Sequence, residues 1–174
     1  MLFKTITDLF KRGSEIMDKP QYGKLEHFTV VGGIGEGSTF LNAFDSALIA
    51  AKVGHYNLVR VSSILPPNAE RTNEVKLNPG SILPIAYGYI YSAEKGQRIT
   101  AAVSVGIPED PGNIGVIMEY SGDLDEADAT EFVINMAKEA MEKRGIKASD
   151  ILHKVVSTKV NDRKTCVFAG VALW

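Results

Sequence analysis

Asn57-Leu58-Val59-Arg60-Val61-Ser62-Ser63-Ile64-Leu65-Pro66-Pro67 is the stretch around which the chain is organised. Its apolar, β-branched first half reads as a strand. The paired prolines stop it, since neither donates a ladder hydrogen bond and each drives its predecessor out of the helical region. Ser62 and Ser63 are thereby placed at the rim of a sheet. Taken alone, two serines at a strand end are accounted for by hydroxyls that satisfy nearby backbone groups.

Upstream of this stretch, His27-Phe28-Thr29-Val30-Val31 reads as a strand running into the glycine-rich Gly32-Gly33-Ile34-Gly35-Glu36-Gly37-Ser38. A strand followed by glycines and a helix resembles a dinucleotide fingerprint. However, Ser38 stands where the last glycine of G-x-G-x-x-G belongs, and no βαβ repeat with an acidic ribose partner follows. The glycines instead permit a tight turn or a close backbone approach. Ser38 is suited to cap a helix from Thr39 to about Lys52, with Gly54 near its end. Leu41, Phe44, Leu48 and Ala51 form its apolar stripe, and Asp45 lies on the flank of that stripe.

Downstream, Asn78-Pro79-Gly80 makes a turn. Ser81 to Tyr91 and Arg98 to Ile107 read as strands joined around Glu94-Lys95-Gly96, and Pro108 to Asn113 turns into a strand from Ile114 to Tyr120. Alternation puts Ile114, Val116, Met118 and Tyr120 on one face, and Gly115, Ile117 and Glu119 on the other. A carboxyl group on so apolar a face holds its proton more tightly. A helix follows from about Asp123 to Arg144, with Asp123 and Glu126 in the capping-box relation and Gly145 as its stop. Phe132, Val133, Met136, Ala137, Ala140 and Met141 form its core face. Strands Ile151 to Val160 and Lys164 to Leu173 close the chain as a hairpin around Asn161-Asp162. This order of elements, with mainly antiparallel connections, predicts an α+β domain whose helices pack on a sheet or on two stacked sheets.

The 174 residues suit a single domain. Their composition, 45% hydrophobic and 23% charged, excludes the disordered and fibrous classes. A net charge of −2 with scattered cations gives no footprint for nucleic acid or an anionic membrane. Lone Cys166 forms no intramolecular disulfide and reads as core packing. Residues 1–25 read as an extension, a short amphipathic helix carrying Leu2, Ile6, Leu9 and Phe10 and then a linker. Polar residues interrupt its apolar ones, so it forms neither a signal-peptide core nor a membrane span, and a cytoplasmic location is expected. His27, His55, His153 and Cys166 offer no metal-ligand spacing.

Gly35-Glu36-Gly37, Leu41-Asn42-Ala43-Phe44-Asp45-Ser46-Ala47-Leu48, Asn57 to Pro67, Ala86-Tyr87-Gly88-Tyr89 and Ile117-Met118-Glu119-Tyr120 together resemble the pyruvoyl-dependent arginine decarboxylases of archaea and some bacteria. The likeness runs in register from about Phe28 to Trp174. It implies a four-layer αββα sandwich of mainly antiparallel sheets over residues 26–174, forming trimers or multiples of trimers with active sites between subunits. It also implies a proenzyme that cuts itself between Ser62 and Ser63 into a 1–62 chain and a 63–174 chain. Ser63 then becomes a covalent pyruvoyl group that forms a Schiff base with arginine and releases carbon dioxide and agmatine, with no pyridoxal phosphate and no metal.

By the same resemblance, Glu119 is the proton donor, and Asn57 and Ser62 position the reacting centre. Asp45 receives the substrate guanidinium, and Leu41, Leu48 and Gly54 line the pocket. Three alternatives stand beside this reading. They are a pyruvoyl decarboxylase for another amino acid, a non-processing relative acting as a scaffold or assembly protein, and a serine hydrolase pairing Ser62 or Ser63 with His55, for which no nucleophile elbow is visible.

Overall fold

The computed structural model describes residues 24–174. The extension expected over residues 1–25 therefore lies outside the described residues, apart from Lys24 and Leu25. The elements in chain order are β1 (His27–Gly37), α1 (Phe40–Ala50), β2 (Asn57–Arg60), β3 (Ile64–Leu65), β4 (Glu70–Arg71), β5 (Ile82–Ser92), β6 (Arg98–Pro108), β7 (Gly115–Gly122), α2 (Glu126–Glu142), β8 (Ala148–Lys159) and β9 (Lys164–Leu173). They form an α+β domain with two sheets, ordered β2-β5-β9-β1-β4 and β3-β7-β6-β8. Pairing is antiparallel except for β1 with β4 and β2 with β5.

β6 and β9 are buried along almost their whole length, on both faces, because each is an inner strand of its sheet with cover above and below. Ile117, Val103, Val105, Val167, Ala169 and Val171 meet in the core between the sheets. On the first sheet, Leu83, Ile85 and Phe168 pack against Ala43 and Ala47 of α1. On the second, Ala102 and Val116 pack against Ala129, Val133 and Ala137 of α2. The buried Ser104 hydroxyl donates to the Val133 carbonyl at 2.6 Å, so the polar group under α2 is satisfied. Among the described residues, no helix is long and apolar enough to cross a membrane.

The glycine-rich stretch is not a loop between strand and helix. β1 continues through it to Gly37, because α1 lies directly on these glycines. A methyl group on Gly35 would overlap the Ala47 nitrogen and the Ala43 carbonyl, and one on Gly37 would come within 2.5 Å of the Ala43 nitrogen. The close-approach reading of the glycines therefore holds and the turn reading does not. Gly35→Ala is expected to push α1 off the sheet at a cost of about 3 kcal/mol. That would lower the melting temperature by roughly 10 °C, read by circular dichroism; an unchanged melt would show that the helix yields freely.

Other boundaries and faces differ from expectation for identifiable reasons. The α1 cap is Thr39, whose hydroxyl accepts from the Asn42 N–H, and not Ser38. The face of α1 on the sheet is the alanine row Ala43 and Ala47, since only small residues allow this approach; Leu41, expected in the stripe, is 75% exposed. The N-cap of α2 is Asp125, which accepts from the Asp128 N–H at 2.9 Å, in place of Asp123. Phe132 of α2 is exposed and Met136 half-buried, while Ala129 takes the core position.

The expected closing hairpin is also absent: β8 and β9 belong to different sheets, as do β5 and β6. Their turns carry the chain from one sheet to the other. Cys166 is wholly buried as expected, and burial pushes its thiol up to about 12.

Candidate functional site

The organising stretch is where the chain first changes sheets. β2 runs parallel to β5, with Arg60 beside Ile85, and the Val61 N–H donates to the Ile85 carbonyl at 3.1 Å. Three residues later Ile64 is paired antiparallel with Val116 of β7, in the other sheet. Ser62 and Ser63 are the bridge. The Ser63 carbonyl accepts from the Ile117 N–H at 2.8 Å, which fixes position 63 beside Ile117, two residues from Glu119 on the same face of β7. Pro66 and Pro67 end the short β3, and Asn68 takes the left-handed conformation (φ 59°) that turns the chain back to β4.

The Ser62 carbonyl accepts from the Ile64 N–H at 3.1 Å across a three-residue turn. That bond polarises the carbonyl next to the Ser63 hydroxyl and donates toward the oxygen on which charge would collect if the hydroxyl attacked. Among the described residues, Lys52 and Asn68 are the non-glycine residues with positive φ, so neither Ser62 nor Ser63 carries that form of backbone strain.

Glu119 has a side chain 24% exposed. Burial raises its carboxyl above the ordinary value, and the Arg60 guanidinium, 3.8 Å away, opposes that rise. The net direction is up, so a carboxyl beside position 63 keeps its proton to higher pH than a solvated one. Arg60 in turn donates to the Tyr87 carbonyl at 3.0 Å and lies 4.9 Å over the Tyr87 ring. Sequence reasoning assigned no role to Arg60, Tyr87 or the Ile64 N–H. Arg60 is the one cation within the Asn57 to Pro67 stretch, and that was the available signal.

The remaining candidates are elsewhere on the chain. Asp45 is exposed on α1, facing away from the sheet, with exposed Leu41 and Ile49 one turn to either side and half-buried Leu48 adjacent. Gly54 follows the helix, where a methyl group would meet Ile49 Cγ1 at 2.8 Å. Asn57 opens β2 and donates from Nδ2 to the Gly80 carbonyl at 2.6 Å. It stands roughly 16 Å along the strand from Ser62. α1 packs on β1, β9 and β5, whereas Glu119 belongs to the other sheet. One chain thus brings together Ser62, Ser63, Arg60 and Glu119. Leu41 and Asp45 lie on the outer face of the first sheet toward the far end of β5, next to Phe40 and Phe44, which pack on Tyr91 and Tyr89, whereas Asn57 is paired with Ile82 at the opposite end of that strand.

A pyruvoyl group made from position 63 fits these surroundings. The Ser63 carbonyl, which such a group retains, is already held by Ile117 N–H, and a carboxyl that favours its proton stands on the same strand face.

Comparison with known proteins agrees. The family model described as pyruvoyl-dependent arginine decarboxylase matches residues 27–174. A protein of Methanocaldococcus jannaschii named pyruvoyl-dependent arginine decarboxylase is 43% identical over 162 residues, covering 92% of this chain and 98% of that one. Proteins of the same name from Methanococcus vannielii and Thermococcus sibiricus are 40% and 41% identical over 146 and 141 residues. These alignments cover 84% and 79% of this chain, and 88% of each relative.

Proposed function

The chain belongs to the pyruvoyl-dependent arginine decarboxylase family, and on that premise we propose that it cuts itself between Ser62 and Ser63 and decarboxylates L-arginine to agmatine and carbon dioxide. The observation that carries this reading is the Ser62-Ser63 crossing, with position 63 held by Ile117 N–H beside the Glu119 carboxyl.

Self-cleavage begins when the Ser63 hydroxyl adds to the Ser62 carbonyl, whose oxygen the Ile64 N–H supports. The Ser62–Ser63 amide bond breaks, Ser62 becomes esterified to the Ser63 oxygen, and the freed nitrogen of residue 63 takes the proton. Loss of the Cα proton of residue 63 then expels the Ser62 carboxylate. The dehydroalanine left behind tautomerises, takes up one water and releases ammonia, which leaves a pyruvoyl group at the head of the 63–174 chain. Bound there, the group's ketone supplies the electron sink for loss of carbon dioxide from an α-amino acid.

The chain's own side chains do the rest. Glu119 delivers a proton to the substrate's α-carbon after carbon dioxide leaves, a task suited to a carboxyl whose hold on its proton burial strengthens. Asp45 receives the guanidinium in bidentate geometry, which selects arginine over lysine. Leu41, Leu48 and Gly54 flank the methylenes, and Asn57 and Ser62 orient the polar end.

We read the fold as a four-layer αββα sandwich, consistent with α1 and α2 covering opposite sheets. We also read the assembly as a trimer or a multiple of trimers that places Asp45 and Asn57 of one subunit against Ser63 and Glu119 of the next. The position of Asp45 on the helix covering the outer face of the first sheet, with Glu119 in the other sheet, supports that arrangement, as does the exposure of apolar Leu41, Ile49, Val59 and Ile82.

Labelled carbon dioxide release from arginine, against lysine, ornithine and histidine, tests the substrate. Asp45→Ala is expected to raise KM for arginine roughly 30- to 100-fold, with kcat changed far less. An unaltered KM would remove Asp45 from guanidinium recognition.

A further inference from the structure

The hydrogen-bond ladder between β2 and β5 has a regular step. Asn57 N–H donates to the Ser81 carbonyl and Val61 N–H to the Ile85 carbonyl. Continued by two residues, the same pattern would bring the Ser63 N–H onto the Tyr87 carbonyl. The chain does not continue, because Ser63 has crossed to β7, where its own carbonyl is held by Ile117. The Tyr87 carbonyl is therefore left by the strand that would have served it, and the Arg60 Nη2 donates to it instead, at 3.0 Å. The same guanidinium is seated over the Tyr87 ring and reaches Glu119 of the opposite sheet. One side chain is thus tied to both sheets around the crossing.

Resting on the reading of Ser63 and Glu119 given above, we propose that Arg60 is a positioning residue for the reaction. It replaces the ladder donor that Ser63 withdraws, so that residues 61–63 hold their crossing path, and it holds the Glu119 side chain in place through the 3.8 Å contact.

The surroundings of Glu119 leave Arg60 as the charge that governs it. On β6 its cross-strand neighbour is Val103, and the next residue in that row is Lys154 of β8, exposed and two strands away. β3 offers Ile64 and Leu65, and β9 offers Val167, Ala169 and Val171 to the inter-sheet core. From β5, Tyr87 holds Arg60 through its carbonyl and ring. The carboxylates of α2 lie on the other face of β7.

The test uses Arg60→Met and Arg60→Lys. Self-cleavage, followed on denaturing gels from freshly refolded precursor, is expected to slow roughly tenfold in Arg60→Met through loss of the crossing geometry. Arg60→Lys should recover part of it, since an ammonium keeps the charge and a donor but loses the planar group seated over the Tyr87 ring. In uncut chains carrying Ser63→Ala, carboxyl-carbon NMR is expected to show Glu119 titrating at higher pH with Arg60→Met than with Arg60. A Glu119 that titrates unchanged in Arg60→Met overturns the proposal, as does a parental cleavage rate. Because the titration is read without decarboxylation, it is independent of Glu119's catalytic role. If Glu119 shifts in the uncut chain while the alkaline limb of kcat in processed Arg60→Met stays where it was, Arg60 keeps its part and Glu119 loses the proton-donor role.

Discussion

A Ser63→Ala chain is expected to run as one band on a denaturing gel after any length of incubation, and to release carbon dioxide from arginine at no more than background. Alanine has no oxygen to receive the Ser62 acyl group and no leaving group for the elimination, so both halves of the self-cleavage fail together. The crossing itself should survive, because the Ile64 to Ser62 and Ile117 to Ser63 bonds are backbone bonds. The parent chain, by contrast, should give a 1–62 and a 63–174 fragment that separate only under denaturing conditions. β1 lies in the first fragment and is paired with β9 of the second along its whole length, from Phe28 with Leu173 to Gly37 with Lys164. α1 is also packed on β9 and β5. Mass spectrometry and size-exclusion chromatography check both points. A parent that is active as one uncut polypeptide would end the pyruvoyl reading for this chain.

Glu119→Gln is expected to cleave normally and then decarboxylate about 10²- to 10⁴-fold more slowly, the range for loss of a general acid. The amide nearly preserves shape and can still face Arg60, so KM for arginine should move little. The pH dependence distinguishes a proton donor from a spacer. Burial raises the Glu119 carboxyl, so the acid form persists to higher pH than in a solvated glutamate, and parental kcat should fall as pH rises through that elevated value. Residual activity of Glu119→Gln should lack this alkaline limb.

Stability follows the same sign. A carboxyl raised in the folded state contributes its stabilisation fully below its unfolded value and loses it as pH rises through the folded one. Glu119→Gln should therefore flatten that part of the stability profile. Full kcat in the glutamine variant would assign the proton to another group.

Much of this site could be read from local chemistry. Prolines 66 and 67 stop a strand wherever that strand lies, and the period of two in β7 puts Glu119 on the face of Ile117 whichever sheet receives it. Asp45 is offset from the sheet-facing residues of α1 by helix geometry alone, and Gly145, with φ 66°, ends α2 as a C-terminal glycine should. Residues next to one another in sequence decide these features, and they stay the same in any packing.

Which strands would pair was not legible. The turns around Gly96 and Asn161-Asp162 reverse the chain as well between two sheets as within one. The strands beside them, β6 and β9, are apolar on both faces and so carry no alternation to choose between those outcomes. Burial of two apolar faces against each other made that choice, together with the alanine row that brings α1 onto the glycines of β1. The partnership of Arg60 with Glu119 arose the same way. It exists only because the chain leaves β2 at Ser62 and crosses to the opposite sheet, where β7 has already brought a carboxyl within reach.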